Sequence, residues 1–103
     1  MITLSNGHII IDQQLATTLL EAENNKIAWV YYAEKNLMML ASHKDDLFKS
    51  IHKVSVSILK LKNGQGDRSF SLQELLIDKE LNDTDRVLKY IADEKMRIVT
   101  VYF

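Results

Sequence analysis

The chain has 103 residues, a formal net charge of −1, and no cysteine. That length closes one ordinary core and not two, and the missing thiols exclude both a disulfide scaffold and thiolate chemistry and fit a reducing compartment. A near-neutral chain does not bind nucleic acid through its overall field, so any such binding needs a local basic patch.

Met1–Gly7 has neither a basic start nor a long apolar run, so no signal peptide is expected and a cytoplasmic location is. No apolar run approaches the roughly eighteen residues that mark a membrane span. Ile9-Ile10-Ile11 reads as a short buried strand. Asp12 then caps a helix whose Leu15, Leu19 and Ala22 follow a helical period. Glu23-Asn24-Asn25 breaks it. Residues 27–33 are dense in β-formers, Glu34-Lys35-Asn36 is a polar turn, and residues 37–41 return as the second strand of a hairpin. Ser42, with Asp45 three residues on, reads as a capping box for a short helix over 43–52 with the stripe Leu47, Phe48 and Ile51. Val54, Val56 and Ile58 alternate with Ser55 and Ser57, the mark of a half-buried strand.

Asn63-Gly64-Gln65-Gly66 is read as a hairpin turn, because Asn and Gly tolerate positive φ. A second cycle follows. Residues 68–71 are a short strand, and Ser71 with Glu74 is a capping box ahead of Leu72, Leu75 and Leu76. Residues 82–85 are a polar break, 86–92 a strand, 93–95 a turn and 97–103 a closing strand. The closing strand is so apolar that it must lie inside the sheet or in a subunit contact.

Shifted by sixty residues, the chain matches itself without a gap from His8/Arg68 to Leu40/Thr100, with identities at Gln13/Gln73, Leu15/Leu75, Glu34/Glu94 and Lys35/Lys95. More telling than these identities is the order of elements, helix on helix and turn on turn. The reading is one domain, 1–103, of two repeats (1–41 and 54–103) joined by the helix 43–52. A unit of some forty residues buries too little apolar surface to fold alone, so the second copy must complete it. The expected product is a barrel-like sheet of interleaved hairpins flanked by short helices.

The run Arg68-Ser69-Phe70-Ser71-Leu72-Gln73-Glu74-Leu75, the break ending Asp85-Arg86, then Val87-Leu88-Lys89-Tyr90 and Ile98-Val99-Thr100-Val101, resembles the AbrB-type swapped-hairpin domain. Asn6 to Leu15 has the same outline, and two such units in one chain resemble the plan of the MraZ proteins. The fold class this implies is α+β, mainly β: tandem βαββ units forming a swapped-hairpin, AbrB/MraZ-like barrel with short helices. The function it implies is that of a DNA-binding, transcription-regulating protein that assembles as a homo-oligomer, with double-stranded DNA as partner. In the MraZ pattern an Asp stands three residues before each Gly-Arg pair. Here the arginine places hold His8 and Arg68, and the Asp places hold Leu4 and Gly64. Arg68, Lys60, Lys62 and His8 are therefore the expected nucleic-acid-binding residues. The alternative is a non-enzymatic protein-interaction module that keeps the fold and has lost DNA binding.

Nothing calls for an enzyme, a cofactor or a metal. His8, His43 and His52 lack ligand spacing with one another or with acids, and His43 with Asp46 makes only half a site. No serine sits on a glycine-flanked elbow, and Asn63–Gly66 lacks the lysine and helix of a phosphate loop. Trp29, Tyr31 and Tyr90 read as core aromatics on hairpin strands rather than as a stacking platform for bases.

Overall fold

A computed structural model describes residues 1–18, 25–61 and 64–103. The fold is mainly β: a nearly closed antiparallel barrel with short helices outside the wall. The first half runs β1 (Ile2–Ser5), β2 (His8–Ile11), α1 (Gln13–Thr18), β3 (Lys26–Tyr32) and β4 (Leu37–Ser42). After α2 (Asp46–Ile51) come β5 (Ser55–Ile58), β6 (Lys60–Leu61), β7 (Arg68–Ser71), α3 (Gln73–Asp78), β8 (Arg86–Asp93) and β9 (Ile98–Tyr102). None of these helices is long and apolar enough to cross a membrane.

The sheet order is β5-β3-β4-β9-β8-β1-β2-β7-β6. Its two ends are consecutive in the chain. Residues 55–58 pair with β3, Leu59 N–H donates to Asn25 O, and residues 60–61 pair with β7. A single stretch therefore serves as both ends of the sheet and brings the wall round on itself, which leaves little open edge. The apolar closing strand β9 lies inside the sheet, between β4 and β8.

Hairpins from the two halves alternate around the wall: β1–β2, β8–β9, β3–β4, and then β5/β6 with β7. Two seams join unlike halves with a symmetric register. In β2·β7, His8 faces Ser71 and Ile11 faces Arg68, so a shift of sixty exchanges the strands in place. In β4·β9, Leu37 faces Tyr102 and Ala41 faces Ile98, and there the shift is sixty-one. The self-match thus carries a one-residue step between helix and hairpin. Turns 33–36 and 94–97 correspond, with Asn36 (φ 52°) and Arg97 (φ 56°) both left-handed. Glu34/Glu94 and Lys35/Lys95 are then one position out of step.

Asn6-Gly7 makes the tight turn from β1 to β2, with φ of 51° and 77°, the left-handed pair that a two-residue hairpin requires. Gly7 lies under Gln73, where an added Cβ would come within 2.6 Å of the Gln73 side chain. Gly66 (φ 92°) lies under Gln13 in the same way, at 2.7 Å. Each of the two matched glutamines therefore covers a glycine from the opposite half.

The barrel interior holds Ile2, Leu4, Ile9, Ile11, Ile27, Met38, Leu40, Phe70, Leu88, Val99 and Val101. Leu15 and Ala16 of α1 and Leu72 and Leu76 at α3 close it at the helices. Asp12 caps α1 as expected: its Oδ1 accepts from Leu15 N–H at 2.9 Å, and its carboxylate pairs with the Met1 ammonium. Burial alone would raise the Asp12 carboxyl, but hydrogen bonds from the ammonium and Leu15 N–H, with the ammonium's charge, hold it below its ordinary 3.8. Leu19, Ala22 and the break at 23–24 fall outside the described residues, as do Lys62 and Asn63.

Several expectations are corrected. The helix between the halves spans 46–51 rather than 43–52. Ser42 ends β4, paired with Ile27, and its hydroxyl accepts from Lys44 N–H. Asp45 caps α2 instead, accepting from Phe48 N–H at 2.9 Å. Leu72 stands at the N-cap of α3, and Ser71 Oγ accepts only a 3.3 Å bond from Gln73 N–H. In β5 the faces are reversed: Val56 and Ile58 lie outward beside Ala28 and Lys26, and Ser55 and Ser57 turn toward the inside. The reason is local. Trp29 Nε1 donates to Ser57 Oγ at 2.8 Å, so a serine is needed on the inner face.

A second, smaller apolar cluster lies outside the wall. Phe48 of α2 packs on the outer face of β3–β4, over Ala28, Val30 and Ala41, with Met39, Val54 and Ile98 around it. Tyr32 Oη and His52 Nδ1 are hydrogen-bonded at the end of this seat.

Candidate functional site

The expected basic residues are divided between faces. In an antiparallel ladder, paired residues share a face and neighbours alternate. Ile9 and Phe70 are paired and buried, which fixes the inner face of β2·β7. His8 pairs with Ser71 and Lys60 with Ser69, so both lie outward. Arg68 pairs with Ile11 and Leu61, so it belongs to the inner rows, half-buried where the barrel opens. Lys60 and Arg68 thus sit on neighbouring strands with opposite directions. His8 is two strands from Lys60, roughly 10 Å away across the sheet. Lys62 lies outside the described residues.

The aromatics are part of the wall. Trp29, Tyr31 and Tyr90 are half-buried against the core, Trp29 lies 6.4 Å from Phe70 and Tyr31 is edge-on to Phe103 at 5.9 Å. None of these rings is free to take a base on both faces.

Two shallow clefts occupy matching places beside α1 and α3. One is lined by Asp12, Gln14, Leu15, Thr18, Tyr90 and Arg97, the other by Trp29, Val56, Ser57, Glu74, Leu75 and Ile77. Tyr90 and Trp29 are sixty-one residues apart and occupy equivalent positions on β8 and β3. Both clefts are open, and neither sets a nucleophile beside a base. Among the described residues, no three His, Cys, Asp or Glu side chains come together as a metal would require.

The most unusual surface was not found from the sequence. The outer face of β8–β9 carries Val87, Lys89, Ile91, Thr100 and Tyr102. Val87 and Ile91 are 63% and 61% exposed, and Tyr102 is exposed beside them. The symmetric registers relate this face to the outer face of β3–β4. Ala28 and Val30 there correspond to Lys89 and Ile91 here, and Met39 and Ala41 to Thr100 and Tyr102. Phe48 of α2 covers the first face, and no described residue plays its part over the second. The signal for this surface was the alternation Val87, Lys89, Ile91, Asp93 in a strand whose even positions are core. It becomes informative only once α2 is seen to serve one face and not its counterpart.

The helix itself has an unused side. Phe48 is 2% exposed, but Leu47 and Ile51, one turn apart on the same stripe, are 59% and 64% exposed. The sequence reading joins all three in one apolar stripe, and of the three only Phe48 is buried.

Comparisons of the chain with family models, with curated proteins and with solved structures found no significant match.

Proposed function

We propose that the chain is a divergent swapped-hairpin barrel of the AbrB/MraZ kind that works as a non-enzymatic protein-interaction module. The fold reading rests on the alternation of hairpins from the two halves and on the symmetric registers of β2·β7 and β4·β9. The functional reading rests on one observation: the outer face of β8–β9 exposes Val87, Ile91 and Tyr102 where the equivalent face is covered. An apolar patch of this kind, with Lys89 among its apolar side chains and Asp93 at its edge, has the composition of a contact with another chain. Amine cross-linking in native extract tests it. Lys89 lies in the middle of the face, and it is expected to link to another polypeptide chain. Lys89 modified by the reagent yet without any intermolecular link would defeat the reading.

A second reading is DNA binding, favoured by Lys60 and His8, which both lie on the outer face of the β2·β7·β6 wall. A titration against random duplex DNA checks it. Binding should be measurable at about 50 mM salt and fall steeply by about 200 mM, and Lys60→Ala should weaken it. Undetectable binding at the lower salt removes this reading.

A further inference from the structure

The occupant of the β8–β9 outer face can be specified by the molecule's own symmetry. Where the face recurs in the first half, it holds α2 through a single aromatic anchor, Phe48. Ile98 of β9 belongs to that cluster, so the seat of α2 already reaches across β4 onto the neighbouring hairpin. The uncovered face is the continuation of an existing helix-on-sheet interface rather than a separate patch. Its rows run on from the covered ones: Val30 to Met39, then Thr100 and Ile91; Leu37 to Tyr102, then Lys89.

Among the described helices, α2 is the one with two exposed apolar side chains one turn apart, and it is therefore apolar on more than one side. With Phe48 fixed inward, a turn of 100° per residue puts Leu47 and Ile51 on a shared flank beside it. Both are mostly exposed. The same chain thus carries an uncovered sheet face and a half-used helix.

We propose that these two surfaces satisfy each other between two copies of the chain, each α2 laying Leu47 and Ile51 on the partner's Val87, Ile91 and Tyr102. This rests on the interaction reading above and names its partner. A two-fold axis closes the arrangement, because each copy gives one helix and receives one. Closure also doubles the contact area. Stable interfaces bury about 800 Å² per partner, more than a six-residue helix on two strands supplies; symmetry uses the contact twice. Each α2 then lies between its own β3–β4 face and the partner's β8–β9 face.

The test uses the full chain and two substitutions at exposed positions, Leu47→Glu and Ile91→Glu, which leave the barrel core intact. By multi-angle light scattering at about 100 µM, the wild type is expected to have twice the chain mass, and each variant alone the single mass with an unchanged circular dichroism spectrum. An equimolar mixture of the two variants is expected to associate at a concentration where neither does alone. In the mixed dimer one contact carries both glutamates and the other carries none. In a mixture of isotope-labelled and unlabelled wild-type copies, Lys89 should cross-link to Lys44 or Lys49 of the other copy. A monomeric wild type, variants that remain dimeric, or a mixture that fails to associate overturns the proposal. Lys89 linking only to a different polypeptide, with the wild type monomeric, overturns it while leaving the interaction reading standing. Lys89 with no intermolecular link defeats both.

Discussion

Phe48→Ala is the most informative single substitution for the fold. Phe48 is buried on the outside of the wall, where Ala28, Val30, Ala41, Met39, Val54 and Ile98 surround it. A buried phenylalanine removes about 150 Å² or more from water, and at about 25 cal/mol per Å² that is about 4 kcal/mol. Truncation leaves the β-carbon in place, and α2 is a short element that can settle inward over the gap. The cost then falls at the low end of the usual range, about 3 kcal/mol. A domain of this size has about 5–15 kcal/mol in all, so the variant stays folded with its thermal midpoint about 15 °C lower. The single tryptophan makes the assay direct. Trp29 lies beside Phe70, tilted at 31°, and donates to Ser57, so its fluorescence reports on closure of the wall between β3, β5 and β7. In urea the midpoint should fall with the slope unchanged. Leu47→Ala at low protein concentration is the control, and it should cost under about 0.5 kcal/mol. A loss below about 1 kcal/mol for Phe48→Ala, with the α2 amides still protected from exchange, would refute the assignment of Phe48 as the anchor.

Asp45→Ala removes the cap that accepts from Phe48 N–H and should cost about 1 kcal/mol by urea unfolding, whereas Ser42→Ala tests the discarded cap and should not shorten α2 in amide exchange. Gly7→Ala places a side chain at φ 77° and within 2.6 Å of the Gln73 side chain; the loss should be about 1–2 kcal/mol, against near-neutral Gly64→Ala, where the added carbon meets nothing within 4 Å. The depressed Asp12 carboxyl gives a stability contribution present above about pH 4 and lost as pH falls through the still lower folded value. Asp12→Asn keeps a capping oxygen without the charge, so the wild type's advantage over it in urea midpoint should be full at pH 6 and shrink toward pH 2; an advantage independent of pH would show that the charge contributes nothing.

The barrel was legible because its signals were local and repeated. The β-rich runs at 27–33 and 86–92, the polar turns and the apolar closing strand all lie where the sequence put them, within a residue or two. Strand β1 is absent from the sequence reading, whose first strand is Ile9-Ile10-Ile11, although Asn6-Gly7 between Thr3-Leu4 and Ile9-Ile10 is a strong hairpin signal. The reversal of β5 was not readable, since alternation fixes two faces without saying which is inside, and Trp29 Nε1 decides it from another strand. The capping boxes failed for a related reason: Ser42 and Ser71 are strand ends held by their ladders, so the cap moved on to Asp45 and Leu72. For the basic residues, counting charges in 60–68 could not reveal that strand parity turns Lys60 and Arg68 to opposite faces.

The alternation of hairpins also sets how the chain reaches this state. The seams β1·β8, β4·β9 and β2·β7 pair residues far apart in sequence: Thr3 with Val87, Leu37 with Tyr102, His8 with Ser71. The hairpins can each form in microseconds, but none has both its neighbours in its own half. The loop-closure entropy is therefore spent before most of the wall is paired. Folding should occupy the slow, millisecond-to-second end of small-domain rates, in one kinetic step without a half-assembled species. An ordering of events by halves is closed to this topology, however alike the halves are.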